Sequence, residues 1–137
     1  MILTTKGRYA VMAIVDLAQN SHNKPSKMSE IAKRQEISQN YLEQIFSHLK
    51  NANIVQSTKG PGGGYMLNDT ANEITISDII KAVSEPIKFT RCGNDNSCTN
   101  KTGQCTTHPL WKGLENQVQN YLTNITVADV CRGTINY

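Results

Sequence analysis

The chain has 137 residues, 38% of them hydrophobic and 18% charged, with a formal charge of +3 at pH 7. That length suits one domain, or a small domain with an appendage, and the periodic apolar clusters exclude a disordered, fibrous or solenoid protein. Residues 1 to 60 carry eight Lys or Arg against four acids, a balance of +4, while the remainder comes to −1, a division that suits a DNA-contacting module joined to a sensing or dimerising part.

The first element is predicted over residues 6 to 21, where Ala10, Ala13, Ile14, Leu17 and Ala18 fall at helical spacing. Thr4 or Thr5 can cap it. Asp16 interrupts its apolar run, which fits neither a secretory leader nor a membrane span, so a cytoplasmic protein with no membrane partner is expected.

After the polar connector SHNKPSK comes a helix of about two turns, SEIAKRQE, with Ser29 as its expected N-cap and Ile31 and Ala32 facing inward. Ser38 offers the next N-cap, and Leu42, Ile45, Phe46 and Leu49 form a second buried stripe. The two helices read as a helix-turn-helix. The opposite face of the second of them holds Gln39, Asn40, Glu43, Gln44 and Ser47. Such side chains suit base reading, since Asn and Gln pair bidentately with adenine and Glu accepts from the cytosine amino group.

Short strand-like runs at Ile54 to Ser57 and Tyr65 to Leu67 flank KGPGGG, whose glycines and Pro61 make it a turn. A hairpin directly after a helix-turn-helix is a wing. Lys59 at its base can meet phosphate or probe the minor groove. A nucleotide cradle is excluded, because GPGGGY lacks the Lys-Ser/Thr pair and is followed by a strand. Ile74 and Ile76 are expected to extend the sheet, and Ser77 to cap a helix carrying Ile79, Ile80 and Val83 that Pro86 closes.

Residues 91 to 111, RCGNDNSCTNKTGQCTTHPLW, hold three of the four cysteines. Cys92, Cys98 and Cys105 are spaced C-x5-C-x6-C with His108 two residues further on, in a polar segment that cannot fold by burial. In a reducing compartment such clusters are metal ligands or redox centres sooner than disulfides. Zinc takes three thiolates and an imidazole tetrahedrally, and an iron-sulfur cluster takes thiolates with occasional histidine. The wide gaps lean toward iron-sulfur, and spacing alone does not choose.

Beyond them Trp111, Leu114, Val118, Tyr121 and Ile125 recur at steps of 3 and 4, the seam of a helix packing along another, here read as a homodimer helix. Thr126 can cap a last short helix, and Cys131 in it reads as a packing residue. The expected fold class is mostly α with a small β wing: a winged helix-turn-helix domain over 1–86, a ligand loop over 87–108, and a dimerisation helix with a short C-terminal helix over 109–137. No triad, paired carboxylates or nucleotide cradle points to an enzyme.

The runs LTTKGRYAV at 3 to 11, ISQNYLEQIFSHLK at 37 to 50, KGPGGGY at 59 to 65 and RC(x5)C(x6)C(x2)HPLW at 91 to 111 resemble the bacterial iron-sulfur cluster regulators and the winged-helix repressor family around them. The resemblance covers nearly the whole chain. It implies a dimer on double-stranded promoter DNA, contacted through Ser38, Gln39, Asn40, Tyr41, Glu43, Gln44, Lys59 and Gly60. It also implies a 2Fe-2S cluster on Cys92, Cys98, Cys105 and His108, supplied by the iron-sulfur assembly machinery, whose genes the loaded protein represses. Relatives with similar cysteines respond to nitric oxide or iron, and the nitric oxide sensors generally lack the histidine. This chain departs from the usual pattern in two places: six residues rather than five separate Cys98 from Cys105, and Lys59 stands where arginine is usual, which keeps the charge but loses the planar fork. An electron-carrying iron-sulfur protein or a zinc-stapled regulator would share the ligands, and metal content and DNA binding would tell them apart.

Overall fold

The first helix, α1 (Thr5–Asn20), buries Ala10, Ala13, Ile14 and Leu17 of the predicted stripe, and leaves its last member, Ala18, half-buried. The computed structural model describes residues 3–21, 24–85, 87–90 and 105–137. Thr4 is the N-cap of α1, but its hydroxyl and N–H turn to the Glu85 carboxylate rather than to the helix.

The next helix, α2 (Met28–Gln35), starts at Lys27 and not at Ser29. Glu30 decides this start, because its carboxylate accepts from the Lys27 N–H at 3.1 Å and so satisfies the donor just ahead of the helix. Glu36, in the left-handed conformation, ends α2 and turns the chain so that Ile37 is buried. Ser38 then caps α3 (Gln39–Asn51), its hydroxyl accepting from the Tyr41 N–H at 3.2 Å. Leu42, Ile45, Phe46 and Leu49 all point into the core.

Strands β1 (Val55–Thr58) and β2 (Gly64–Leu67) pair antiparallel, Val55 opposite Leu67 and Thr58 opposite Gly64. The connector between α1 and α2 adds a short third rung, with Ser26 and Tyr65 exchanging both backbone hydrogen bonds, at 3.0 and 2.8 Å. Only glycine permits that approach. A Cβ on Gly64 would stand 2.3 Å from the Ser26 carbonyl oxygen. The Tyr65 ring meets Phe46 edge-on at 4.8 Å, which seats the wing on α3.

Ile74 and Ile76 do not extend this sheet. A capping box at Thr75 and Asp78 starts α4 (Ile76–Ala82) where a third strand would run, so Thr75 and not Ser77 is its cap, and Ser77 is buried within the helix. The backbone on either side of Thr75 pairs instead with the segment around Thr126: the Ile76 N–H donates to the Ile125 carbonyl and the Val127 N–H to the Ile74 carbonyl, each at 2.9 Å. Pro86 lies outside the described residues.

The long helix α5 (His108–Thr123) leads through that pairing into α6 (Val127–Arg132), which Thr126 and Asp129 open with another capping box. The hydrogen bonds from Thr126 hold the Asp129 carboxyl below its ordinary range. Val127 is fully buried in the same core as Ile14, Phe46 and Ile79. The C-terminal helix therefore returns to the winged module.

Candidate nucleic-acid interface and ligand turn

Placing a recognition helix requires α2 and α3 to be held rigidly against α1, and apolar packing is joined in this by one buried charge. Asp16 is 1% exposed and accepts from Arg34 Nη2 at 2.6 Å, from Arg34 Nε at 2.9 Å and from Gln35 Nε2 at 2.8 Å. The carboxylate is thereby satisfied from α2, and its hydrogen bonds push the Arg34 guanidinium above its ordinary range. Sequence reasoning used Asp16 only to exclude a membrane span. An acid on the buried stripe was the signal for a partner, but its partner lies on another helix.

With the core side of α3 so fixed, Gln39, Asn40, Glu43, Gln44 and Ser47 are all exposed. Asn40, Glu43, Gln44, Ser47 and His48 line one open surface. His48 was not foreseen there, although it stands four residues after Gln44 on the same face. Gln39 Nε2 donates to Glu43 Oε1 at 3.4 Å. Ser38 sits at the N-terminus of α3, where backbone N–H groups and the helix dipole favour a phosphate. Tyr41 is half-buried, and its ring stacks edge-on against Tyr9 at 5.8 Å.

The wing completes this face. Lys50 Nζ donates to Ser57 Oγ at 2.8 Å, joining the end of α3 to β1. Lys59 and Gly60 are exposed at the turn, and Gly60 takes φ +94, a conformation that side chains other than glycine rarely adopt.

Of the four expected ligands, Cys92 and Cys98 lie outside the described residues. The other two share one turn: the His108 N–H donates to the Cys105 carbonyl at 3.1 Å, and Cys105 Sγ lies 3.5 Å from Thr107 Oγ1. Thr107 is the N-cap of α5 and His108 its first residue, followed by Pro109. A helix start thus fixes the backbone that carries the imidazole. Among the described residues no group of three or more His, Cys, Asp or Glu is gathered for a metal ion.

Along α5, Trp111, Leu114 and Tyr121 are 38%, 39% and 52% exposed, Leu110 is 61% exposed, and Val118 is half-buried. Ile125 is not on the helix. Asn124 ends α5, and Ile125 packs against the core of its own chain while its carbonyl accepts from Ile76. Cys131 is half-buried against that core too, and burial pushes its thiol upward, away from the reactive thiolate.

A family model described as Rrf2, iron-dependent transcriptional regulator, matches residues 3–133. The chain belongs to the Rrf2 family. Among its Rrf2 relatives, the HTH-type transcriptional regulator IscR of Pectobacterium atrosepticum is 45% identical, over 95% of this chain and 79% of that one. IscR of Vibrio campbellii is 43% identical over 96% and 78%. Two solved structures superpose with a TM-score of 0.81 at 30% identity: T. potens IscR, over 98% of this chain and 89% of that one, and CymR, the global cysteine regulator of B. subtilis, over 98% and 99%. This Rrf2 protein is a DNA-binding transcriptional regulator of winged-helix fold, not an enzyme. No helix among its described residues is long and apolar enough to cross a membrane.

Proposed function

We propose that this regulator senses iron-sulfur cluster supply through a 2Fe-2S cluster held by Cys92, Cys98, Cys105 and His108, and when loaded represses the genes of cluster assembly. The observation that carries the reading is the turn that joins Cys105 to His108 at the start of α5, which brings a cysteine and a histidine within one turn at a helix N-terminus. The donor set fits the group, since thiolates bind such iron centres and histidine replaces cysteine in some of them. The relatives named IscR support the same choice. When bound, the cluster supplies a redox-sensitive and removable group. An imidazole among its ligands is protonatable and weaker than a thiolate, which suits a sensor that has to lose its signal.

In this reading residues 87–108 form the ligand loop, and the apolar face of α5 joins two copies into a homodimer on double-stranded promoter DNA. The assembly machinery donates the cluster, in the cytoplasm. The test is iron, acid-labile sulfide and zinc per chain in protein purified without oxygen. Matched iron and sulfide at about two per chain is the expected result. Zinc at about one per chain without sulfide would replace the sensor by a structural staple.

The DNA contacts make a separate expectation. Gln44→Ala loses about 1–3 kcal/mol of discrimination at one base position. Lys59→Ala weakens binding to all sequences alike and makes the salt dependence shallower by about one counterion per chain. Fluorescence anisotropy on a set of single-base operator variants at several salt concentrations separates the two; a Lys59→Ala effect confined to one sequence would remove Lys59 from the phosphate contacts.

A further inference from the structure

We infer that Glu115 is a positioning residue for the ligand loop: its carboxylate fastens the chain just ahead of Cys92 onto the stripe of α5 that begins at His108. The inference rests on the cluster reading above. Glu115 Oε1 accepts from the Phe89 N–H at 3.0 Å, a contact between residues 26 positions apart. Its other oxygen, Oε2, lies 3.6 Å from Lys112 Nζ, and the Glu115 side chain is only 16% exposed. One oxygen is thus committed to the backbone of the incoming segment and the other to a solvent-facing cation.

The contact sits on a defined side of α5. Residues 108, 115 and 119 fall within about 20° of one line along a helix of 3.6 residues per turn. Gln119 on that line donates to Ser77 Oγ at 2.6 Å, and Ser77 is buried in α4. The stripe that opens with His108 therefore faces its own winged module, away from the exposed Leu114 and Tyr121. Ile87 packs against the core two residues before Phe89, so the segment is pinned from both sides.

Distance makes the pin useful. From Glu115 back to His108 the helix rises about 10 Å. Cys92 is the third residue after Phe89, and three extended residues reach about 10 Å at most. The reach from Phe89 thus equals the rise from Glu115 to His108, so an anchor at Phe89 is compatible with one group taking both Cys92 and His108. Without the pin, the first thiolate has to be ordered relative to the imidazole at the moment of binding, at an entropic cost that Glu115 removes beforehand.

The test compares wild type, Glu115→Ala, Glu115→Gln and Glu115→Asp as full-length protein. Loss of visible absorbance in the presence of an iron chelator gives the rate of cluster loss, and amide hydrogen exchange at Phe89 is followed in the cluster-free proteins. Glu115→Ala is expected to lose its cluster about tenfold faster or more, the range for groups that support metal ligands, and to exchange Phe89 faster. Glu115→Gln, whose amide oxygen still accepts, restores both; Glu115→Asp, one methylene short, restores neither. Equal loss rates in Glu115→Ala and wild type, or Phe89 exchange indifferent to the substitution, overturn the positioning role while leaving the cluster in place. A wild type without iron and sulfide is a different failure: it removes the cluster reading and this inference together.

Discussion

Arg34→Ala is expected to lower the unfolding free energy by about 3 kcal/mol, through an uncompensated charge and not through lost packing. Asp16 is 1% exposed and takes three of its hydrogen bonds from the Arg34 guanidinium, leaving Gln35 Nε2 as the remaining side-chain donor once Arg34 is truncated. The cost stays at the low end for a buried pair because the Arg34 side chain is 35% exposed, so water reaches one partner. At roughly 4 °C per kcal/mol for a chain of this size, the thermal midpoint falls by roughly 10 °C. Arg34→Lys is expected to fall between the two, since an ammonium cannot reproduce the planar fork. Urea unfolding with an unchanged m-value measures the difference. A loss below about 1 kcal/mol would class the pair with ordinary surface ion pairs. Asp16 and Arg34 join α1 to the first helix of the helix-turn-helix, so a loosened pair also loosens the angle at which α3 is presented.

Much of that frame can be read from residue spacing alone. The buried stripes of α1 and α3 obey a period that backbone geometry imposes, so the outward set on α3 follows as the complement of Leu42, Ile45, Phe46 and Leu49. KGPGGG reads as a turn because its glycines tolerate what other residues do not. The cap at Ser38 is local chemistry, and so is the cap at Thr126.

Where the reading failed, two local signals competed or the partner was remote. Glu-Ile-Thr-Ile alternates as a strand does, yet Thr75 and Asp78 stand three apart as a capping box does; the segment around Thr126, some fifty residues later, arrives to pair with Thr75 and the helix begins. Ile125 continues the seam spacing of α5, but a spacing does not record that the helix has ended at Asn124. Glu115 and Gln119 were passed over for a similar reason. Their partners are a backbone N–H and a buried hydroxyl on other elements, neither of which leaves a mark in the sequence around α5.

On the proposed homodimer, Leu114→Arg is expected to give a monomer and to weaken operator binding by about a hundredfold or more. The long helix α5 has sixteen residues, none of them buried. A helix of that length is marginal in water unless one of its faces is packed. Its Glu115 and Gln119 stripe already rests on the winged module. Leu110, Trp111, Leu114 and Tyr121 remain exposed on the rest of its surface, an apolar strip that a second copy can cover with the same strip of its own. At a two-fold interface one substitution acts twice, so Leu114→Arg places two like charges in an apolar seam. The recognition helix is untouched, and each half-site can still be bound, but the second half-site is no longer presented at high effective concentration, a loss of about a hundredfold or more. Sedimentation velocity and operator titration on full and half sites check both parts. A Leu114→Arg protein that sediments as wild type and keeps its preference for the full operator would place the dimer contact elsewhere than α5. A monomer with undiminished affinity would show that one winged module carries the DNA recognition alone.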